Sequence, residues 1–136
     1  MKYLLDTNVC IKFLNGRSLA IKQTINDKNP DDIVLCSIVK AELFYGALKS
    51  AQPDKNIERL NRFVSQFESF PFDDDAAEAY GRIRSDLEKL GTPIGPNDLL
   101  IASIALANGI ILVTNNTKEF GRIQSLTLED WEKATI

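Results

Sequence analysis

Five side chains in this sequence of 136 residues carry chemistry and stand beside apolar segments that a fold can bring together. Asp6 follows the short apolar run Tyr3–Leu5 and is succeeded at once by Thr7 and Asn8. Glu42, on a helical reading, has Ile38, Val39, Tyr45 and Gly46 as neighbours three and four positions away, so it sits on a largely apolar face. Asp98 opens the apolar stretch "LLIASIALA" (Leu99–Ala107), and "VTNNTKEF" (Val113–Phe120) contributes Asn116 and Glu119. Carboxylates gathered in one place raise one another's pKa unless a cation compensates. A hard ion such as Mg²⁺ or Mn²⁺ suits an oxygen-only site, keeping waters beside one or two direct carboxylates. With such an ion, water can attack a phosphodiester without help from histidine.

Each residue also has a simpler local role. Asp, Thr and Asn all cap helix N-termini, so Asp6-Thr7-Asn8 reads equally as a cap. Asp98 can serve as a first-turn acid in the helix dipole, helped by Asn97. Thr114-Asn115-Asn116 fits a polar strand-to-helix turn with Thr117 as a cap. Glu42 resists this treatment most, because a half-buried acid needs a reason. Asp73-Asp74-Asp75 reads simply as a helix start with favourable first-turn acids. It is the conjunction of acids that favours a site.

The elements that must position these residues follow from apolar runs and breakers. Strands are expected at Tyr3–Leu5, Ile33–Cys36, Phe70–Phe72, Ile110–Val113 and Ser125–Leu128. Helices are expected over Val9–Leu14, ended by Gly16, and from Ser18 towards Lys28, where Asn29-Pro30 breaks the pattern. Others run to about Ser50 with Ser37 as N-cap, from Pro53 to about Glu68, and from Asp74 to Leu90 before Gly91. A strongly apolar helix opens at Pro96-Asn97 and closes at Asn108-Gly109. Strands separated by helices argue for an α/β chain with a mostly parallel sheet covered on both faces. Ligands in such sheets bind outside the strands' carboxyl ends, where Asp6 and the segment after Val113 both fall.

Composition narrows the chemistry further. The chain has no histidine, which excludes Ser-His-Asp, Cys-His and paired-histidine mechanisms. With two cysteines a zinc site is improbable; Cys10 and Cys36 lie in apolar surroundings and are expected to be reduced core thiols. A net charge of −3 argues against general coating of nucleic acid, although a cation in an acidic site reverses the local sign. The hydrophobic fraction of 44% suffices for one core, and a single domain over residues 1–136 is expected. No segment approaches the roughly 20 apolar residues of a membrane span, and Asp6 and Lys12 interrupt any signal-like N-terminus. The expected location is cytoplasmic.

The blocks "LLDTN", "VKAELFYGA", "IGPNDLLIASIALANG" and "LVTNNTKEF", in that order, resemble the PIN-domain ribonucleases, specifically the VapC toxins of bacterial toxin–antitoxin operons. The likeness includes "AAEAYGRIRSDLEKLG" and the terminal "LEDW" (Leu128–Trp131), and so spans essentially the whole chain. It implies a PIN-like three-layer α/β/α fold with a small, mostly parallel sheet. By position, Asp6, Glu42 and Asp98 resemble the family's first three metal-binding acids. Where many relatives carry Asp soon after "VT", this chain has Asn116, with Glu119 three residues later, so two residues compete for the fourth position. Thr114, Asn115 and Asn8 resemble polar supports. The implied activity is Mg²⁺-dependent cleavage of RNA, Mn²⁺ being the alternative ion, with water as nucleophile and a 3′-hydroxyl left behind. Asp6 and Asp98 would bind the metal directly. Glu42 would bind through water or orient and deprotonate the nucleophile, and Asn116 or Glu119 would complete the outer shell.

The resemblance also implies partners. A VapB-type antitoxin would lay a segment in a groove and place a basic side chain among the acids. Phe44, Tyr45, Phe63 and Phe67, on adjacent helices, are candidates to line that groove, core packing being their simpler role. Homodimers and larger complexes are implied, with operator DNA read by the antitoxin, and so is a tRNA substrate, notably the anticodon stem-loop of initiator tRNA. Two other classes remain to be weighed. A phosphoacceptor domain would need paired acids after the first strand, where this chain has Asp6-Thr7-Asn8. A non-catalytic PIN scaffold would have no reason to keep Asp6, Glu42 and Asp98, and Asn116 alone leaves it open.

Overall fold

Parallel pairing throughout, where the sequence indicated mostly parallel, is the first feature of the sheet. The structure, a computed structural model, describes residues 1–133. Its strands β1 (Tyr3–Leu5), β2 (Ile33–Cys36), β3 (Glu68–Phe70), β4 (Ile111–Val113) and β5 (Leu128–Glu129) lie in the order β3-β2-β1-β4-β5. The helices are α1 (Thr7–Asn15), α2 (Leu19–Asp27), α3 (Ser37–Leu48), α4 (Pro53–Val64), α5 (Asp74–Leu90), α6 (Pro96–Asn108) and α7 (Thr117–Phe120). With this strand order, the right-handed crossover rule puts α1–α4 on one face and α5–α6 on the other, the three-layer arrangement expected. All of β2 is buried, as a parallel strand covered on both faces must be.

The order of strands creates the crevice that matters. The chain leaves β1 outward to β2 and β3, then returns to place β4 on the other side of β1. The carboxyl ends of β1 and β4 therefore flank a switch in strand order. Helix α6 crosses nearby as an almost wholly interior element, burying Leu99, Ile101, Ala102, Ile104 and Ala105. Its one buried hydroxyl, Ser103, donates to the Leu99 carbonyl at 2.6 Å and so costs the core little. The helix closes at Gly109, whose φ of 62° a side chain would resist.

Several boundaries differ from expectation for identifiable reasons. The strand placed at Phe70–Phe72 is Glu68–Phe70, because Pro71 has no N–H to give a ladder. Helix α4 stops at Val64, and i→i+3 bonds from Gln66 and Phe67 turn the chain towards β3. Ser37 is the first helical residue rather than the cap; Cys36 holds that place without a side-chain bond. The last strand is Leu128–Glu129, since residues 121–125 form turns. Helix α1 starts at Thr7, two residues early, because Asp6 does cap it.

Candidate active site

Register fixes the first pair of residues. Leu5 pairs with Val113, and the Asp6 N–H continues the ladder to the Val113 carbonyl at 2.9 Å. Asp6 and Thr114 consequently emerge side by side at the crevice, and the Thr114 hydroxyl donates to Asp6 Oδ2 at 2.8 Å. Asp6 is only 4% exposed and Thr114 is fully buried. The other carboxylate oxygen, Oδ1, accepts the Thr7 N–H at 2.8 Å as part of the α1 cap. The capping residue is thus also the candidate acid.

Thr7 also reaches the second acid. Its hydroxyl donates to Glu42 Oε1 at 2.6 Å, while Asn97 Nδ2 approaches Glu42 Oε2 at 3.4 Å. The first residue of α1 thus links two acids that lie 36 positions apart in sequence, and the start of α6 meets α3. The sequence reading credited Thr7 only as part of a cap and Asn97 only as a helper of Asp98. Local signal for the Thr7–Glu42 bond does not exist, since it depends on how α3 packs against α1.

Asp98 occupies the first turn of α6, half-buried. Burial, then the charges of Asp6, Glu119 and Glu42, push its carboxyl up to about 6, against a smaller lowering by a hydrogen bond with Asn116. Burial is also the main reason Asp6 stands above the ordinary value, with Glu42 adding to it and the bonds from Thr114 and Thr7 opposing. The Asn116 N–H donates to Thr114 Oγ1 at 3.0 Å and its amide Nδ2 to Glu119 Oε2 at 3.3 Å. Glu119 Oε1 accepts the Gly95 N–H at 2.6 Å, a backbone contact no motif announces.

The predicted acids therefore meet, together with Asn116 and Thr114, at one mouth. Among the described residues the ion pairs lie elsewhere, at Lys2–Glu68, Lys12–Glu132, Arg62–Glu58, Arg82–Glu78 and Arg84–Glu88. Asp6, Glu42, Asp98 and Glu119 repel one another with no lysine or arginine bound to them. The donor set is all oxygen, which fits a hard divalent cation. Among the described residues no three acids or thiols converge closely enough to grip an ion by themselves.

Other predicted residues fall outside this cluster. Asn8 and Asn115 are exposed and turn away from the acids' hydrogen bonds. The four aromatics do not line a common groove. Phe63 is a core residue, 3% exposed and stacked between Phe13 and Phe67 at centroid distances of 5.4 and 5.3 Å, while Tyr45 is 66% exposed. Helical spacing alone put them together; the α3–α4 packing turns Phe63 inward and Tyr45 outward. A groove of ≈ 280 Å³ does exist between α1, α3 and α4, walled by Ile11, Leu14, Leu43, Ala47 and Leu60, and Glu42 lines it too. Cys10 and Cys36 are fully buried, and burial pushes the Cys36 thiol up to about 11, which leaves both inert.

Comparison with known proteins agrees with this geometry. The PIN domain family model matches residues 3–126. The chain is 44% identical to "Ribonuclease VapC2" of Rickettsia felis over 135 residues, covering 98% of this chain and all of that one. It is 39% identical to "tRNA(fMet)-specific endonuclease VapC" of Shigella flexneri over 131 residues, covering 96% of this chain and 98% of the relative. Among solved structures, DNA-bound VapBC from Salmonella typhimurium superposes with a TM-score of 0.90 at 40% identity, over 96% of this chain and 98% of its counterpart. The chain belongs to the PIN-domain family, in its VapC group.

Proposed function

We propose that this chain is the ribonuclease toxin of a VapBC-type pair, cutting RNA internally with a divalent cation, Mg²⁺ or Mn²⁺, and silenced by a VapB-type antitoxin. The observation that carries this reading is Thr7 joining Asp6 to Glu42 beside Asp98, with no basic side chain bound to any of them. The names and titles of its relatives supply the rest: ribonuclease, VapC, VapBC. The Shigella flexneri relative's name makes initiator tRNA the first substrate to try.

The cation, when bound, supplies the charge that activates water and stabilises the developing negative phosphate. Asp6 and Asp98 would hold it directly. The bonds from Thr114 and from the Thr7 N–H fix the plane of the Asp6 carboxylate, so that its remaining lone pairs face the mouth. Glu42, steered by Thr7 and Asn97, orients the attacking water and takes up its proton. The water oxygen bonds to phosphorus as the P–O3′ bond breaks, and the 3′ oxygen takes a proton from solvent as it leaves. A 3′-hydroxyl and a 5′-phosphate result.

The groove between α1, α3 and α4 is the seat assigned to the antitoxin segment. Its apolar wall offers burial, and Glu42 offers a counter-charge to a basic side chain. Homodimers and larger complexes, with operator DNA read by the antitoxin, belong to the same reading. Antitoxin-free protein incubated with total bacterial RNA tests it. Cleavage that requires Mg²⁺ and is lost in Asp6→Asn supports the reading. Folded, cation-loaded protein that leaves all RNA intact would transfer the weight to a non-catalytic PIN scaffold.

A further inference from the structure

We infer that Glu119 is a positioning residue, which holds the start of α6 and thereby sets the place of Asp98. The inference rests on the ribonuclease reading above. Both oxygens of Glu119 are already engaged, Oε1 with the Gly95 N–H and Oε2 with the Asn116 amide. Gly95 is the N-cap of α6, has no side chain to cap with, and is followed by Pro96, which has no N–H. The helix start therefore has no side-chain cap of its own, and Glu119 accepts the N-cap N–H from α7. Asp98 lies three residues on, in the same first turn, where Leu99 N–H returns to the Gly95 carbonyl at 2.9 Å. A displaced Gly95 displaces Asp98.

Two further contacts make this a clamp rather than a chance bond. Arg122 Nη1 donates to the Pro93 carbonyl at 2.8 Å, tying the chain just after α7 to the same segment. Asn116, in turn, suits the place between two acids. Its amide donates to Glu119 and favours the charged form of Asp98, where an aspartate would set a like charge against both. The departure from the family's Asp is thus matched to Glu119.

Four variants test the clamp, read by steady-state RNA cleavage and, in the three that keep an N–H at position 95, by hydrogen exchange of that amide. Glu119→Ala removes the acceptor. Gly95→Pro removes the donor at a φ of −57°, which proline adopts, and leaves the Glu119 charge in place. Both are expected to lower kcat about a hundredfold with KM little changed, the scale of loss for an angstrom-sized misplacement. Glu119→Gln keeps an oxygen for the Gly95 N–H. Gly95→Ala keeps the N–H, its Cβ meeting Glu119 Oε1 at 3.6 Å and Asp98 Oδ2 at 3.9 Å, ordinary contacts. These two are expected to lose less than about tenfold, and Glu119→Gln to keep the Gly95 amide protected while Glu119→Ala does not. Glu119→Gln as inactive as Glu119→Ala would overturn the inference, as would Gly95→Pro near wild type. If Glu119→Ala does not fold, Gly95→Pro and Glu119→Gln carry the test. If the wild type cuts no RNA, the ribonuclease reading fails, and the exchange of the Gly95 amide still decides whether the clamp exists.

Discussion

Thr114 and Asp6 share a buried hydrogen bond of 2.8 Å between the ends of two strands that pair in register. The same hydroxyl accepts the Asn116 N–H at 3.0 Å, so one oxygen joins the first acid to the last segment of the site. Thr114→Val keeps the shape and deletes both bonds. Each group left unsatisfied costs roughly 1–3 kcal/mol, and denaturant unfolding should show a loss on that scale. Thr114→Ser should recover most of it. A valine variant as stable as wild type would contradict the role given to this bond.

Metal-free protein should lose stability as pH rises through the site's own window. Burial first, and then the charges of Asp6, Glu119 and Glu42, raise Asp98 from 3.8 to about 6, and Asp6 is shifted in the same direction. Between those values the folded chain holds more protons than the unfolded chain, so this contribution declines with rising pH and levels off above about 6. Unfolding in chelator at pH 5 and at pH 7.5 checks the slope. Asp98→Asn should flatten it and be the more stable protein at pH 7.5. The reverse order at pH 7.5 would count against the electrostatics described.

Divalent cation should oppose that loss. At pH 7.5, Mg²⁺ or Mn²⁺ at a hundred times its Kd stabilises a single site by about 2.7 kcal/mol. The unfolding midpoint should rise with added ion in wild type and hardly move in Asp6→Asn, whose amide still caps α1. An equal rise in both proteins would place the ion elsewhere.

The groove offers a way to separate toxin from antitoxin. Gly46 lines it, lies within α3, and a Cβ added there meets nothing within 4 Å. Gly46→Leu should fold at least as well as wild type, since replacing a mid-helix glycine gains roughly 0.5–1 kcal/mol. It should fill the groove, weaken antitoxin binding tenfold or more by titration calorimetry (about 1.4 kcal/mol), and leave RNA cleavage intact. Undiminished antitoxin affinity would move the binding segment to another face.

What could be read in advance depended on how local the determining physics is. The apolar character of α6 and the stops at Gly16, Gly91 and Gly109 rest on near-neighbour effects, and all were legible. Glu42 was legible as an anomaly on an apolar face. Asp6 reads as a choice between cap and site; the structure shows the cap, with the second carboxylate oxygen bonded to Thr114 at the crevice. The Thr7–Glu42 and Gly95–Glu119 bonds were not legible, since each joins elements distant in sequence. Phe44, Tyr45, Phe63 and Phe67 do not line the groove between α1, α3 and α4, since helical spacing says which residues share a face, not which neighbour covers it. Pro71 could have corrected the β3 boundary from sequence, as it cannot donate to a ladder.

Sequencing of newly formed RNA ends tests the central claim most directly. Antitoxin-free wild type and Asp6→Asn are each given total bacterial RNA, with Mg²⁺ and then with chelator. The account predicts one dominant cut bearing a 3′-hydroxyl upstream and a 5′-phosphate downstream, present only in wild type with Mg²⁺, and found first in initiator tRNA. The same cuts in Asp6→Asn, or undiminished in chelator, would contradict it.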